Sequence, residues 1–251
     1  MPVTVDHHTV AAISISGSCL DVLGSLYLAY DLLGGRHGPL RLLTRAVTYS
    51  IVFGIGYVLG LGPFFGVSAG LATGLTLALE FNRAARGLDR YSLPVEALFS
   101  AIRGASFGIG LYPSVGIRFA LAFAFLLTVG QVVAYGRGMH PALDYSADRR
   151  PRITRRQFWG TVARTIGNLA AALICSAFVH HLEHPVYFAV RVGLVTGLVT
   201  GIGITVNPFI EYYADNLPER RLGAFGIGLI LCGFALQSVQ YWLALFDVHL
   251  T

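Results

Sequence analysis

Gly193-Leu-Val-Thr-Gly197-Leu-Val-Thr-Gly201 is the stretch on which the reading of this chain turns. A near copy lies upstream, Gly70-Leu-Ala-Thr-Gly74-Leu-Thr, and the same four-residue ladder runs from Gly66 to Ala78. Residues four apart share one face of a helix, and small residues there let a neighbouring backbone approach. In water such a helix is poor, because each interior Gly costs about 1 kcal/mol against Ala. In lipid the backbone must pair internally, so the helix persists and the ladder becomes a packing groove. Both stretches therefore read as central helices of two related halves of a membrane protein.

Composition agrees. Of 251 residues, 55% are hydrophobic and 12% charged, against about 25% charged in soluble domains. Apolar runs long enough to cross a hydrocarbon core of roughly 30 Å recur along the chain. No stretch is left for a separate soluble domain. All 18 basic side chains are arginines. Most sit in short loops between apolar runs, where topology places them, so nucleic-acid binding is not indicated. Cys19, Cys175 and Cys232 fall in apolar runs without CxxC spacing and read as buried thiols. Residues 1–9 carry Asp6, His7 and His8 but no Arg, unlike the basic start of a cleaved signal peptide.

Helices are expected at about 10–34, 46–62, 64–82, 96–112, 113–136, 157–181, 186–206 and 222–246. Gly62-Pro63 closes the second and Asn207-Pro208 the seventh. The region 95–136 decides the count. Crossed once, it divides the loop arginines: Arg36, Arg41, Arg45, Arg83, Arg86, Arg90 and Arg103 fall on one side. Arg137, Arg149, Arg150, Arg152, Arg155, Arg156, Arg220 and Arg221 fall on the other. Crossed twice, it puts all of these on one side, as the positive-inside rule prefers. The expected fold is thus an all-α polytopic membrane protein of about eight transmembrane helices, with basic loops cytoplasmic and both termini outside. Seven helices, or a re-entrant hairpin near 95–113, is the alternative.

The eight helices divide into two parallel four-helix repeats, 1–112 and 113–251. Ala29-Tyr30 before Gly35-Arg36-His37 matches Ala134-Tyr135 before Gly138-Met139-His140. Arg45 matches Arg164, Gly70 and Gly74 match Gly193 and Gly197, and Arg103 through Leu111 matches Arg221 through Leu229. Like-facing repeats are one of the arrangements on which transporters are built.

Ionisable groups within a membrane are functional candidates. Asp21 lies near the middle of the first helix. Arg118 and Arg191 lie a short way into the helices that follow Pro113 and Pro185, and none of the three has a charged match in the other repeat. These three are the candidate solute- or ion-binding residues, with a buried Asp–Arg pair locking helices as the structural alternative. Arg45, Arg103, Arg164 and Arg221 read as arginines snorkelling to lipid headgroups, and Glu80 as a residue facing them. The helix-packing residues are Gly66, Gly70, Gly74, Gly193, Gly197 and Gly201. His180 and His184, four apart with Glu183 between them, are the candidate metal ligands, without a fixed motif around them.

No nucleophile elbow, zinc-protease motif or phosphate loop is present, so neither an enzyme nor a cofactor is expected. The expectation is a small transporter or channel for a small solute or ion, an anion being favoured by the arginines. The path would run between the two repeats, where the ladders meet. The alternative is a non-transporting membrane subunit, assembly factor or sensor that uses the ladders for helix association, with lipid or a second copy as partner.

Overall fold

Lipid offers a backbone no hydrogen-bond partner, so long apolar runs close their own bonds as helices. In the computed structural model that describes residues 4–5, 7–32, 40–85, 93–137, 152–153, 155–179, 182–216, 219–245 and 249–250, the chain is helical but for one short strand pair. The helices are α1 (His7–Leu32), α2 (Leu40–Leu61), α3 (Pro63–Ala85), α4 (Leu93–Gly136), α5 (Arg155–Ser176), α6 (Pro185–Asn216) and α7 (Glu219–Leu245). Among the described residues, all seven are long and apolar enough to cross a membrane. Their outward faces carry Leu59, Phe125, Leu231 and Phe234, each more than 60% exposed. Apolar surface on that scale needs lipid around it; the chain is a multi-pass integral membrane protein.

Two compact units make up the chain. The first joins its two ends, residues 1–44 and 214–251. Here α1 and α7 run antiparallel along a glycine seam. A Cβ built on Gly17 would fall 2.7 Å from the carbonyl oxygen of Gly233, and one on Gly24 2.5 Å from that of Gly226. The reverse contacts are as close, Gly226 to the Gly24 oxygen at 2.8 Å and Gly233 to the Gly17 oxygen at 2.7 Å. Neither helix has room for a side chain at these positions. Beyond the helices, Thr4 and Val5 pair in parallel with His249 and Leu250, as strands β1 and β2.

The second unit, 45–213, holds the remaining crossings. A single residue links α2 to α3. Gly62 takes φ +94, a left-handed conformation open to glycine, and Pro63 begins the next helix with its fixed φ. α4 is 44 residues long, about 66 Å if straight at 1.5 Å per residue. It is not straight. Gly116, at φ 78 and ψ 172, leaves the helical region three residues after Pro113, in a conformation that L side chains avoid. The two legs, 93–115 and 117–136, fold back on each other. Gly104 would place a Cβ 2.6 Å from the Ala124 carbonyl oxygen, Gly108 one 3.0 Å from that of Ala120, and Thr128 Oγ1 lies 3.3 Å from the Ser100 carbonyl.

The ladders pack in the same way twice. Gly70 and Gly74 of α3 lie against Gly54 and Ser50 of α2, and Gly66 against Val58. Gly193, Gly197 and Gly201 of α6 lie against Leu169, Thr165 and Thr161 of α5. Each ladder thus faces the helix before it, whereas the sequence reading has the two ladders meeting each other. On a second face α2 meets α6, with Gly56 and Gly60 receiving Val199 and Val195. α6 also runs past Asn207-Pro208 to Asn216 rather than ending there. Proline breaks helices chiefly by freeing a carbonyl to water, and a membrane helix has neighbours in place of water.

Candidate functional site

Glu80 of α3, Glu96 and Arg103 of α4 and Arg164 of α5 line one chamber in the second unit. Its walls include Thr73, Leu77 and Glu80 of α3, Glu96, Arg103, Phe107, Gln131 and Tyr135 of α4, Arg164 and Asn168 of α5, and Thr200 and Ile204 of α6. The free space is about 50 Å³, room for a few waters at roughly 10–15 Å³ each by the same measure.

Arg103 is the hub. A guanidinium has five N–H donors in a planar fork, and here each finds an acceptor. Nε donates to Gln131 Oε1 at 2.7 Å. Nη1 donates to Glu80 Oε1 at 2.5 Å and to Thr76 Oγ1 at 3.2 Å. Nη2 donates to Glu96 Oε1 at 3.1 Å and to Ser100 Oγ at 3.4 Å. The Ser100 hydroxyl donates a hydrogen bond of its own to Glu96 Oε1 at 2.9 Å. Glu80, Glu96 and Ser100 are fully buried and Arg103 is 6% exposed. These bonds fasten α3 to both legs of α4. A buried charge is tolerated only when paired and hydrogen-bonded, and this cluster meets that condition.

Arg103 and Glu80 therefore do not reach the headgroups, as the sequence reading has them. Arg45 is likewise 5% exposed, whereas Arg221 is exposed. Counting residues from a helix end gives depth along the membrane normal but not whether protein or lipid lies alongside. The signal that finds the cluster is the coincidence of Glu80, Glu96, Arg103 and Gln131 near the same ends of adjacent apolar runs.

Arg164 lines the same chamber and is used differently. It is partly buried. Among the described residues its guanidinium makes no hydrogen bond and no ion pair. One turn further along α5, the Asn168 amide meets the Thr196 hydroxyl at 3.2 Å, across to α6. Tyr57 of α2 joins Thr200 at 2.8 Å. On the side of the Gly62 and Gly116 turns the chamber ends at an aromatic cluster. The rings of Tyr57, Phe65 and Phe107 lie pairwise 5.4 Å apart.

The sequence candidates lie elsewhere. Asp21 is in the first unit and accepts a 2.6 Å hydrogen bond from Gln237 Nε2. Arg118 and Arg191 are in the second unit, and both are exposed. Arg191 Nε donates to the Gly60 carbonyl at 2.8 Å, near the end of α2, where a helix welcomes positive charge. His180 lies outside the described residues. His184 is exposed just before α6, and its carbonyl accepts the Phe188 N–H at 3.1 Å. Among the described residues no three His, Cys, Asp or Glu side chains gather as a metal site would require.

No protein family, curated protein or solved structure matches the chain. Its chemistry has to be read from the chamber itself.

Proposed function

We propose that this protein is a small membrane transporter or channel, and that its solute or ion occupies the chamber between α3, α4, α5 and α6. The observation that carries the reading is a polar, charge-lined space within helices that face lipid outside. Intramembrane ionisable groups mark pathways more often than scaffolding, and Arg164 faces this space with its donors unspent. The aromatic cluster of Tyr57, Phe65 and Phe107 closes one end, which is the geometry of a site open toward one side of the membrane at a time.

The topology that goes with this function is eight crossings, with basic loops cytoplasmic and both termini outside. Two features support it. The reversal at Gly116 turns α4 into two legs, each about 30 Å long at 1.5 Å per residue. The β1–β2 pairing also brings the two chain ends together, and an even number of crossings puts both on one side of the membrane. The repeat has support in the matching ladder contacts of α3 on α2 and of α6 on α5, and in the glycine-lined antiparallel pairs formed by the α4 legs and by α1 with α7.

Purified protein in vesicles should conduct or exchange a small ion or solute above the level of empty vesicles. Absence of flux for a panel of monovalent cations, monovalent anions and small neutral solutes would remove the reading. Topology is tested separately. Cysteines replacing Tyr112 and Arg137 should react with a membrane-impermeant thiol reagent from opposite sides. Labelling from the same side would restore a single crossing or a re-entrant hairpin.

The saturation of Arg103 favours a second reading, in which the cluster is a lock for a non-transporting subunit. Under it, filling the chamber by Thr200→Leu would leave every activity of the assembled membrane unchanged; under transport, it would stop flux.

A further inference from the structure

We infer that the chamber binds one small monovalent anion, held by the guanidinium of Arg164 and the amide nitrogen of Gln131. The inference rests on the chamber being the solute site and goes on to name what chemistry fits it.

All five N–H groups of Arg103 are committed to Glu80, Glu96, Ser100, Thr76 and Gln131. Arg103 therefore serves the protein and has nothing left for a ligand. Its bond to Gln131 also fixes that amide. Because Nε donates to Oε1 at 2.7 Å, the oxygen is turned to Arg103 and the nitrogen is turned away, with its two N–H groups uncommitted among the described residues. Arg164 has its own donors uncommitted as well. Both residues line the chamber. The protein thus presents to one small space a full cation and a primary amide with donors to spare, beside the carboxylates of Glu80 and Glu96 that Arg103 holds. A ligand that answers them must bring acceptors and negative charge.

Charge and size narrow the class. Among the residues that line the chamber, Glu80 and Glu96 carry two negative charges and Arg103 and Arg164 two positive ones. A single negative charge adds the least imbalance; a doubly charged ion adds twice as much in a low-dielectric site. The space of about 50 Å³ suits an ion of one to a few heavy atoms, the scale of chloride, nitrate or formate. Glu80 and Glu96 standing nearby weaken the hold on any anion. A transport site needs that balance, since an ion must leave as well as enter.

The test uses the whole protein with chloride, nitrate and formate as probes, potassium as a cation and urea as a neutral control. Two variants separate binding from folding. Arg164→Gln keeps a polar, hydrogen-bonding side chain, shortens it and removes its charge. Gln131→Glu keeps the oxygen that Arg103 uses and replaces the donor with an acceptor. Both must elute as monodisperse protein of unchanged helicity, which the Arg103 bonds allow them to do. In detergent, at least one probe anion should raise the melting temperature of the wild type in a saturable way. Each variant should lose that rise. In vesicles, anion flux should fall about tenfold or more in each variant, the loss expected when a charge-assisted hydrogen bond is removed.

Anion flux with equal rates in wild type and both variants overturns the assignment. Flux of potassium or urea with no anion-dependent stabilisation also overturns it and leaves the transport reading standing. Absence of all flux, with stabilisation by anion that both variants abolish, supports the site and removes transport.

Discussion

The α1–α7 pair and the chamber wall hold helices together by opposite means. Along α1 and α7 the side chains have been taken away. Gly17 faces Gly233 and Gly24 faces Gly226, so backbone lies on backbone, with Asp21 and Gln237 as a polar clasp beside the seam. Around the chamber long polar side chains reach from α4 to α3 and from one α4 leg to the other, in addition to the close glycine contacts of those legs. In lipid the first device draws on dispersion over many close contacts. The second draws on a few strong bonds that are expensive to leave unmade. The chamber described above lies where the second is used.

That contrast is exposed to measurement. The largest effect is expected at the hub. Arg103→Leu takes a guanidinium away from two buried carboxylates and should cost about 3–5 kcal/mol, read as lost stability in reversible unfolding from mixed micelles. A loss under 1 kcal/mol would mean that water already reaches Glu80 and Glu96. Next comes the seam. Gly24→Ala puts a methyl against the Gly226 carbonyl, and overpacking of this kind costs about 1–3 kcal/mol; it should leave vesicle flux intact if the chamber alone conducts. Gly130→Ala has the opposite sign. Nothing lies within 4 Å of a Cβ there, so the variant should gain up to about 1 kcal/mol from helix propensity. Smallest is Tyr57→Phe, which removes the bond to Thr200 and should cost about 0.6 kcal/mol, as interhelical bonds in membranes do. An effect several times larger would place the aromatic cluster, rather than the Arg103 hub, at the centre of the unit's stability.

The sequence carries the membrane class, the helices and the tight Gly62-Pro63 turn openly, because these follow from local composition and backbone chemistry. The reversal in α4 is half legible. Tyr112-Pro113-Ser114 marks the place, but the residue whose φ turns the chain is Gly116, one glycine among 30. The chamber is concealed for a different reason. Arg103 meets Glu80 and Gln131 across 23 and 28 residues of chain, and helical spacing relates only residues within a few turns. Asp21 stands out in sequence because it lies near the middle of its apolar run; Glu80 and Arg103 look ordinary because each lies near a helix end among other arginines. Lone charges are conspicuous and partnered ones are not, and in this protein the partnered ones line the cavity.

A guanidinium bonded at once to α3 and to both legs of α4 makes those three segments a single slab. Under the transport reading, any rearrangement that admits a solute from the other face of the bilayer has to leave the slab whole or break five bonds together. The α5–α6 pair, whose glycines and threonines nest closely, is then the wall to move, and its motion has to release Val195 and Val199 from Gly60 and Gly56 of α2. On that reading, spin labels on α5 and α4 should report motion between them during turnover, while labels on α3 and α4 keep a fixed separation.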